Sequence, residues 1–483
     1  MAKALFRCDA SITIGSGHVM RCLTLADYLR ERGWECVFAT TPETLQAVSF
    51  LRDSGYRVIS PQQAYDCDVV IIDHYGLDSK TEAFFKSFAK RIIVIDDLAD
   101  RTHHCDVLID QTFGREVTDY KNLVPAEALI LTGTEYALLR PQFLRHRHSS
   151  LQRREALQGH VDRVIVMLGS IDPPNVSSLV LQGLAEAKAS VVVDVVTGSG
   201  NPHLASLTQQ IKTMGDNMHL HVDVVDMAGL MSQADLAIGA GGTSSWERAC
   251  LGLPTLLIEI ADNQKTIAAN LDRQGSVMNL GWYKNLTPAS IARSFTALCA
   301  DPQKIKHMSH QAQILCNGHG ASALAPALLS PFKTHKGAEV RLRRMVMDDA
   351  EILYRWQSYP ETRRYARSPA VPEWNGHLKW MARALDNPDC FPYFIIVSGA
   401  PAGMLRLDRQ ADPSRRHFEV SILLNPDYYG QGVAAAALRL IRQLEINAVF
   451  TAEIHPDNHA SHVLFEQAGF KRVDEKWFRQ DPQ

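Results

Sequence analysis

A chain of 483 residues exceeds what one hydrophobic core organises, so two to four domains are expected. Apolar residues make up 46% and charged residues 21%, the profile of a soluble globular protein, and a net charge of −3 gives no electrostatic reason for binding nucleic acid. No apolar run approaches bilayer-spanning length, and the start, Met1-Ala2-Lys3-Ala4-Leu5-Phe6-Arg7-Cys8-Asp9, becomes charged too soon for a signal peptide, so no membrane role is expected. The nine cysteines are scattered, odd in number and never spaced as CxxC, which points to reduced thiols and a cytoplasmic location. No metal is expected. His103-His104 and His146 to His148 lack a second ligand pair at helical or zinc-finger spacing and read as solvated loop histidines.

Along the chain, β-rich runs at Ala4–Cys8, Cys36–Thr40, Arg57–Ser60, Val69–Asp73, Ile92–Asp96 and Leu129–Leu131 alternate with amphipathic stretches such as Val19–Arg32. That alternation predicts an α/β unit over 1–150 with a parallel sheet covered on both faces. A polar stretch, His146–Asp162, breaks the pattern. A second α/β series over 151–330 runs through Arg163–Gly169, Val191–Thr197, His219–Val222, Leu236–Gly239 and Thr255–Glu259. Two Rossmann-like units in tandem place ligands between them, at the carboxyl ends of the strands. Pro331–Gly337 reads as a linker. The rest, 338–483, is α+β, with strands at Val340–Met345, Tyr393–Val397, Gly403–Asp408, Phe418–Leu424 and Val449–Ile454.

The first strand runs into Ile14-Gly15-Ser16-Gly17-His18-Val19-Met20-Arg21. Gly15 and Gly17 let the backbone approach a ligand, and the helix that follows offers free N–H groups to an anion. His18 at the helix start is placed to act as a general base, or alternatively to cap the helix or contact phosphate. In the second unit a strand runs into Gly239-Ala240-Gly241-Gly242-Thr243-Ser244-Ser245-Trp246-Glu247, followed by Gly252-Leu253-Pro254. Thr243 and Ser244 are placed to cap a helix and bind a diphosphate. Glu247 either accepts both ribose hydroxyls or completes a capping box with Ser244.

Gly241-Gly242 through Glu247 and on to Pro254 resembles the UDP-binding motif of the glycosyltransferases that add N-acetylglucosamine to lipid II, of glycosyltransferase-B architecture. Arg7-Cys8-Asp9-Ala10-Ser11 with Ile14–Leu23 is similar to something narrower, the hydrolases of the pseudaminic acid pathway that cleave UDP-2,4-diacetamido-2,4,6-trideoxy-β-L-altropyranose. The resemblance covers roughly residues 1–325. It implies that His18 activates water at the anomeric carbon, and that Tyr75 and Asn263 contact the sugar. UDP is a good leaving group, so one base and one water suffice for single displacement, without the paired carboxylates of glycoside hydrolases. Spacing alone does not separate water from an acceptor hydroxyl; the resemblance favours water.

In the last unit, Phe418–Pro426 leads into Tyr428-Tyr429-Gly430-Gln431-Gly432-Val433-Ala434 and an alanine-rich helix, again an anion pocket. With Ile454–Asn458 and Phe465–Phe470 downstream, this resembles the GNAT acetyltransferases. The resemblance implies that Gly430, Gln431, Gly432, Val433 and Ala434 hold acetyl-CoA as donor, with Asn458 as a further contact. Two departures stand out: Tyr429 replaces the usual first Gln or Arg of the turn, and Phe465 replaces the tyrosine that often protonates the departing thiolate. A free thiol's pKa is close enough to neutral for the thiolate to leave unprotonated or use water. Glu419 is the candidate base, acting on an amine through water, unless it is merely a surface carboxylate on an edge strand.

In the pathway named above, a GNAT enzyme acetylates the 4-amine of a UDP-amino sugar, and its product is the hydrolase's substrate. The resemblance therefore implies a bifunctional enzyme with a UDP-amino sugar and acetyl-CoA as small-molecule partners. Two other readings stay open: a true glycosyltransferase fused to an acetyltransferase, and a UDP-sugar-sensing module regulating a protein acetyltransferase.

Overall fold

The computed structural model describes residues 2–11, 15–411 and 416–482. Among these described residues the chain builds three sheets. The first holds β1 (Lys3–Cys8), β2 (Glu35–Ala39), β3 (Arg57–Ile59), β4 (Cys67–Asp73), β5 (Ala89–Ile95), β6 (Val107–Asp110) and β7 (Leu129–Thr132), in the order β3-β2-β1-β4-β5-β6-β7. Every pairing in it is parallel. The second holds β8 (Arg163–Met167), β9 (Val192–Thr197), β10 (Met218–Val222), β11 (Leu236–Ala240), β12 (Thr255–Glu259) and β13 (Val277–Trp282), ordered β10-β9-β8-β11-β12-β13, also parallel. Both are doubly wound sheets whose order reverses beside the first strand, and that reversal opens a crevice between β1 and β4 and between β8 and β11.

The third sheet is mixed: β14 (Phe332–Lys333), β15 (Glu339–Arg344), β16 (Cys390–Val397), β17 (Ala400–Arg409), β18 (Arg416–Leu424), β19 (Ala448–Glu453), β20 (Lys471–Arg472) and β21 (Trp477–Gln480), ordered β14-β15-β16-β17-β18-β19-β21-β20. Its central feature is a parallel pairing of β18 with β19 in an otherwise antiparallel sheet. The fold is thus α/β, two Rossmann-like units in tandem followed by an α+β unit.

Five helices position the sites: α1 (Gly17–Arg30), α2 (Pro141–Leu157), α3 (Ser244–Cys250), α4 (Gly320–Leu328) and α5 (Val433–Leu444). Three sequence expectations need correction. The polar stretch after His146 does not break the fold, because α2 carries it as helix to Leu157. Its buried face is polar: Arg147 donates to the carbonyls of Cys250, Cys316 and Gln313, and Arg154 to those of Leu251, Ala234 and Met231. Pro331–Gly337 is more than a linker, since Phe332 and Lys333 pair with Val340 and Glu339 in the third sheet. His103 is not a solvated loop residue. Its ring is buried and its Nδ1 meets Glu82 Oε1 at 2.7 Å.

The first and third units share one continuous buried apolar cluster, running from Phe6, Leu25 and Trp34 through Leu324 and Leu328 of α4 to Tyr393, Leu440 and Phe450. The seam is tight. Trp34 Nε1 donates to Leu444 O at 3.3 Å, Ile446 N to Arg32 O at 3.0 Å, and a Cβ on Gly33 would sit 2.6 Å from the Asn447 amide. Arg32, buried, pairs with Glu445 at 2.9 Å, and Arg416 reaches the same carboxylate at 2.7 Å. The second unit keeps its own core.

Candidate active sites

The first site lies where β1 and β4 diverge. The chain leaves β1 at Cys8, and Gly15, at φ +81°, donates its N–H to Ser11 O at 2.8 Å before α1 begins at Gly17. Ile14 of the motif lies outside the described residues. His18 is thereby set in the first turn of α1, 4% exposed. Its Nδ1 meets Asp73 Oδ1 at 2.5 Å, and Asp73 ends β4 at the neighbouring strand's carboxyl end. Arg21, one turn on, donates Nε and NH2 to the same carboxylate at 2.5 and 2.6 Å and NH1 to Asp97 Oδ2 at 3.1 Å.

Burial alone would raise the Asp73 pKa, but Arg21 and then His18 more than offset it and hold the carboxyl at about 2. An ionised Asp73 fixes the tautomer: Nδ1 carries the proton it donates to Asp73, leaving the Nε2 lone pair free. Tyr75 stands edge-on to the imidazole, ring centroids 4.4 Å apart, and is partly exposed. Asp73 and Arg21 were not singled out from sequence. The available signal was an acid closing a buried parallel strand.

Across the crevice, a Cβ on Gly17 would lie 3.8 Å from Thr243 Oγ1, so the two glycine loops face each other. Thr243 is the N-cap of α3 yet makes no side-chain capping hydrogen bond. The capping-box alternative for Glu247 is therefore not what forms. Glu247 Oε1 instead lies 3.5 Å from Arg140 NH2, and burial raises its pKa, an effect that Arg140 and Arg248 only partly offset. Ser244 Oγ accepts from Arg248 at 3.3 Å. Arg248, fully buried, also holds Ala240 O at 2.7 Å and would clash with any Cβ on Gly239, so it braces the loop from behind. Gly241 N donates to Gln264 at 3.3 Å, and Gly242 faces the same side chain. Asn263, beside Gln264, is exposed in the 3₁₀ turn Asp262–Gln264 after β12.

The second site lies in the third sheet. Parallel pairing of β18 with β19 runs from Arg416/Ala448 to Glu419/Thr451, and the strands part beyond it. Gly430 and Gly432 adopt φ +67° and +79°, and Gly432 N-caps α5, which begins at Val433 and Ala434. The left-handed turn leaves open space around Gly430, a backbone cradle fit for a pyrophosphate. Gln431 Nε2 donates to Asp427 O at 2.6 Å and fastens the turn, while Tyr429 is exposed. Asn458 is engaged as the N-cap of the helix His459–Gln467, its Oδ1 accepting from Ser461 N at 3.2 Å. Phe465 is buried against Phe470, centroids 4.9 Å apart.

Glu419 stands at the fork of β18 and β19, on an interior strand between β17 and β19 and not on an edge. It is not alone there. Arg367, on the loop after the short helix Pro360–Arg363, places NH2 2.5 Å from Glu419 Oε1 and Nε 2.5 Å from Glu453 Oε2. Neither Arg367 nor Glu453 carried a sequence signal.

Among the described residues, no group of His, Cys, Asp and Glu side chains is arranged to hold a metal, and no helix is long and apolar enough to cross a membrane.

Comparison with known proteins fits this geometry. A family model of the glycosyltransferase family 28 C-terminal domain matches residues 163–324, and one of the acetyltransferase (GNAT) domain matches residues 339–471. A Campylobacter jejuni protein named UDP-2,4-diacetamido-2,4,6-trideoxy-β-L-altropyranose hydrolase is 28% identical over 280 residues, covering 56% of this chain and 97% of that one. A Helicobacter pylori protein that joins a pseudaminic acid cytidylyltransferase to such a hydrolase is 25% identical over 58% of this chain and 52% of its own. An uncharacterised Methanocaldococcus jannaschii protein is 22% identical along 96% of each chain. The chain is therefore an enzyme in which a glycosyltransferase-B pair, related to the UDP-diacetamido-trideoxy-altropyranose hydrolases, is fused to a GNAT acetyltransferase domain.

Proposed function

We propose that the chain performs two consecutive steps on one UDP-amino sugar in the cytoplasm, with units at 1–150, 151–330 and 338–483. The GNAT unit transfers the acetyl group of acetyl-CoA to the 4-amine of a UDP-4-amino-4,6-dideoxy sugar. The first two units then hydrolyse the resulting UDP-2,4-diacetamido-2,4,6-trideoxy-β-L-altropyranose to free sugar and UDP. The Asp73–His18 pair is the observation that carries the hydrolytic reading: a base with its tautomer set by a buried carboxylate, in a crevice between two anion-binding loops.

In the hydrolytic step His18 Nε2 accepts a proton from water, the water oxygen bonds to the anomeric carbon, and the bond to the UDP oxygen breaks. Gly15 and Gly17 face the departing diphosphate from one side, with Gly241, Gly242, Thr243 and Ser244 on the other. Glu247 binds the ribose, and Tyr75 and Asn263 line the sugar. In the transfer step the turn Gly430–Ala434 with Asn458 holds the donor, and Glu419 takes the proton from the amine. The acceptor arrives as its ammonium, so after Glu419 has taken one proton and the nitrogen has attacked, a second leaves the nitrogen with the departing thiolate or to water and the amide keeps the third, Phe465 having no hydroxyl to give.

NMR of the purified protein with UDP-4-amino-4,6-dideoxy-β-L-AltNAc, with and without acetyl-CoA, tests the reading. Free diacetamido sugar and UDP should appear only with acetyl-CoA present. Acetylation without UDP release would assign the first two units to transfer onto an acceptor, or to sensing.

A further inference from the structure

The fork between β18 and β19 holds more than one base. Glu419 leaves β18 at its last residue paired to β19, and Glu453 ends β19 two residues beyond Thr451, Glu419's partner. Their carboxylates converge from two strands onto one guanidinium, each within 2.5 Å of it. The Glu419 side chain is 14% exposed and that of Glu453, an exposed residue at the strand end, 28%, whereas the Arg367 side chain is 61% exposed and comes from a loop outside the sheet. Two carboxylates that converge on one point repel unless a cation lies between them. The cation present is borrowed from the surface, and it lies where the strands part.

We infer that Glu419 and Glu453 together form the ammonium-binding site of the acetyltransferase, that Glu453 selects acceptors bearing a primary amine, and that Arg367 fills the site until the acceptor displaces it. A primary amine reaches the enzyme largely protonated near neutral pH. Its ammonium, with three donors, satisfies both carboxylates as the guanidinium does. Glu419 then removes one proton so that the nitrogen lone pair is free to attack. Glu453 keeps its hold on the nitrogen through that transfer. Neither the role of Glu453 nor that of Arg367 is needed for the two-step reaction as such; the inference rests on that reading only in placing Glu419 at the reacting amine.

Steady-state acetyl transfer by the full-length protein, at saturating acetyl-CoA and with thiol release as readout, tests this. The acceptors are UDP-4-amino-4,6-dideoxy-β-L-AltNAc, an aminoglycoside and a peptide with a free N-terminus. Glu453→Gln should raise the acceptor KM about tenfold, the loss of one charge-assisted contact, with kcat changed less than about threefold. Glu419→Gln should act mainly on kcat. Arg367→Ala should move KM the other way, lowering it severalfold, since a competitor has been removed. An unchanged KM in Glu453→Gln overturns the inference, as does a raised KM in Arg367→Ala. An unchanged KM for acetyl-CoA in each variant certifies the fold. If the sugar is refused but another amine is taken, the proposed function falls and the same KM comparisons on that amine decide the inference. If no primary amine is taken by the wild type, the inference falls too.

Discussion

The two candidate bases are held in opposite ways. His18 is buried and tied to Asp73, which Arg21 ties in turn to Asp97, all within one unit and all at strand ends or on α1. Glu419 is covered by an exposed arginine from a loop that must move before the carboxylate can meet a substrate. The first arrangement is set before substrate arrives, as suits a reaction whose nucleophile is ever-present water. The second is exchangeable, as suits a reaction whose nucleophile enters as a cation and must be recognised first. On the proposed reading, preorganisation and displacement are separate solutions to placing a base in one chain.

The largest effect expected on the preorganised side is His18→Ala, which should slow UDP release about 10³-fold while leaving acetyl transfer intact, so that NMR sees the acetylated UDP-sugar accumulate. Asp73→Asn probes orientation apart from basicity. The amide does not enforce the Nδ1–H tautomer, and hydrolysis should fall about 10²-fold with little change in the substrate's KM. A variant with unchanged kcat would mean that Asp73 serves the fold alone.

Charge set in place beforehand is also testable away from the chemistry. At His103, burial works against the charged ring, but Asp96 and Glu82 win and lift its pKa to about 9 from the usual 6.5. A raised folded-state pKa stabilises the fold fully below pH 6.5 and loses that contribution as pH rises through 9. His103→Gln should therefore cost about 3 kcal/mol in denaturant unfolding near pH 6, and the gap to wild type should narrow above pH 9. Smallest of all is Phe465→Tyr. The ring is buried against Phe470, away from solvent, so the new hydroxyl should leave kcat unchanged and cost about 1 kcal/mol of stability. A raised kcat would show that the hydroxyl reaches the departing sulfur after all.

Much of the layout was legible because parallel strands announce themselves as apolar runs, and Val69–Asp73 or Leu236–Gly239 need no partner to be read. Val107–Asp110 and Val277–Trp282 escaped, the second being interrupted by Asn279 and Gly281. Helix α2 escaped for a different reason. Beyond Phe143 its inward face is Arg147, Ser150 and Arg154, bonded to carbonyls, and apolar periodicity does not register a face buried through hydrogen bonds. At the sites, glycine loops and His18 were readable because their meaning is local. Asp73 lies 55 residues from His18, and Arg367 lies 52 from Glu419, so only the folded chain pairs them.

Helix α5 starts at the turn beside Gly432 and ends at Leu444, whose carbonyl receives Trp34 of the first unit. It is a strut with one foot at the proposed donor cradle and the other against Trp34, in the turn between α1, which carries His18, and β2. With a shared core on either side of that strut, heat should melt the first and third units in one transition. A ligand that binds only the folded donor site adds its binding free energy to that whole block, about 2.7 kcal/mol at a hundred times its Kd. Coenzyme concentration would then set how long the proposed hydrolytic site survives on warming.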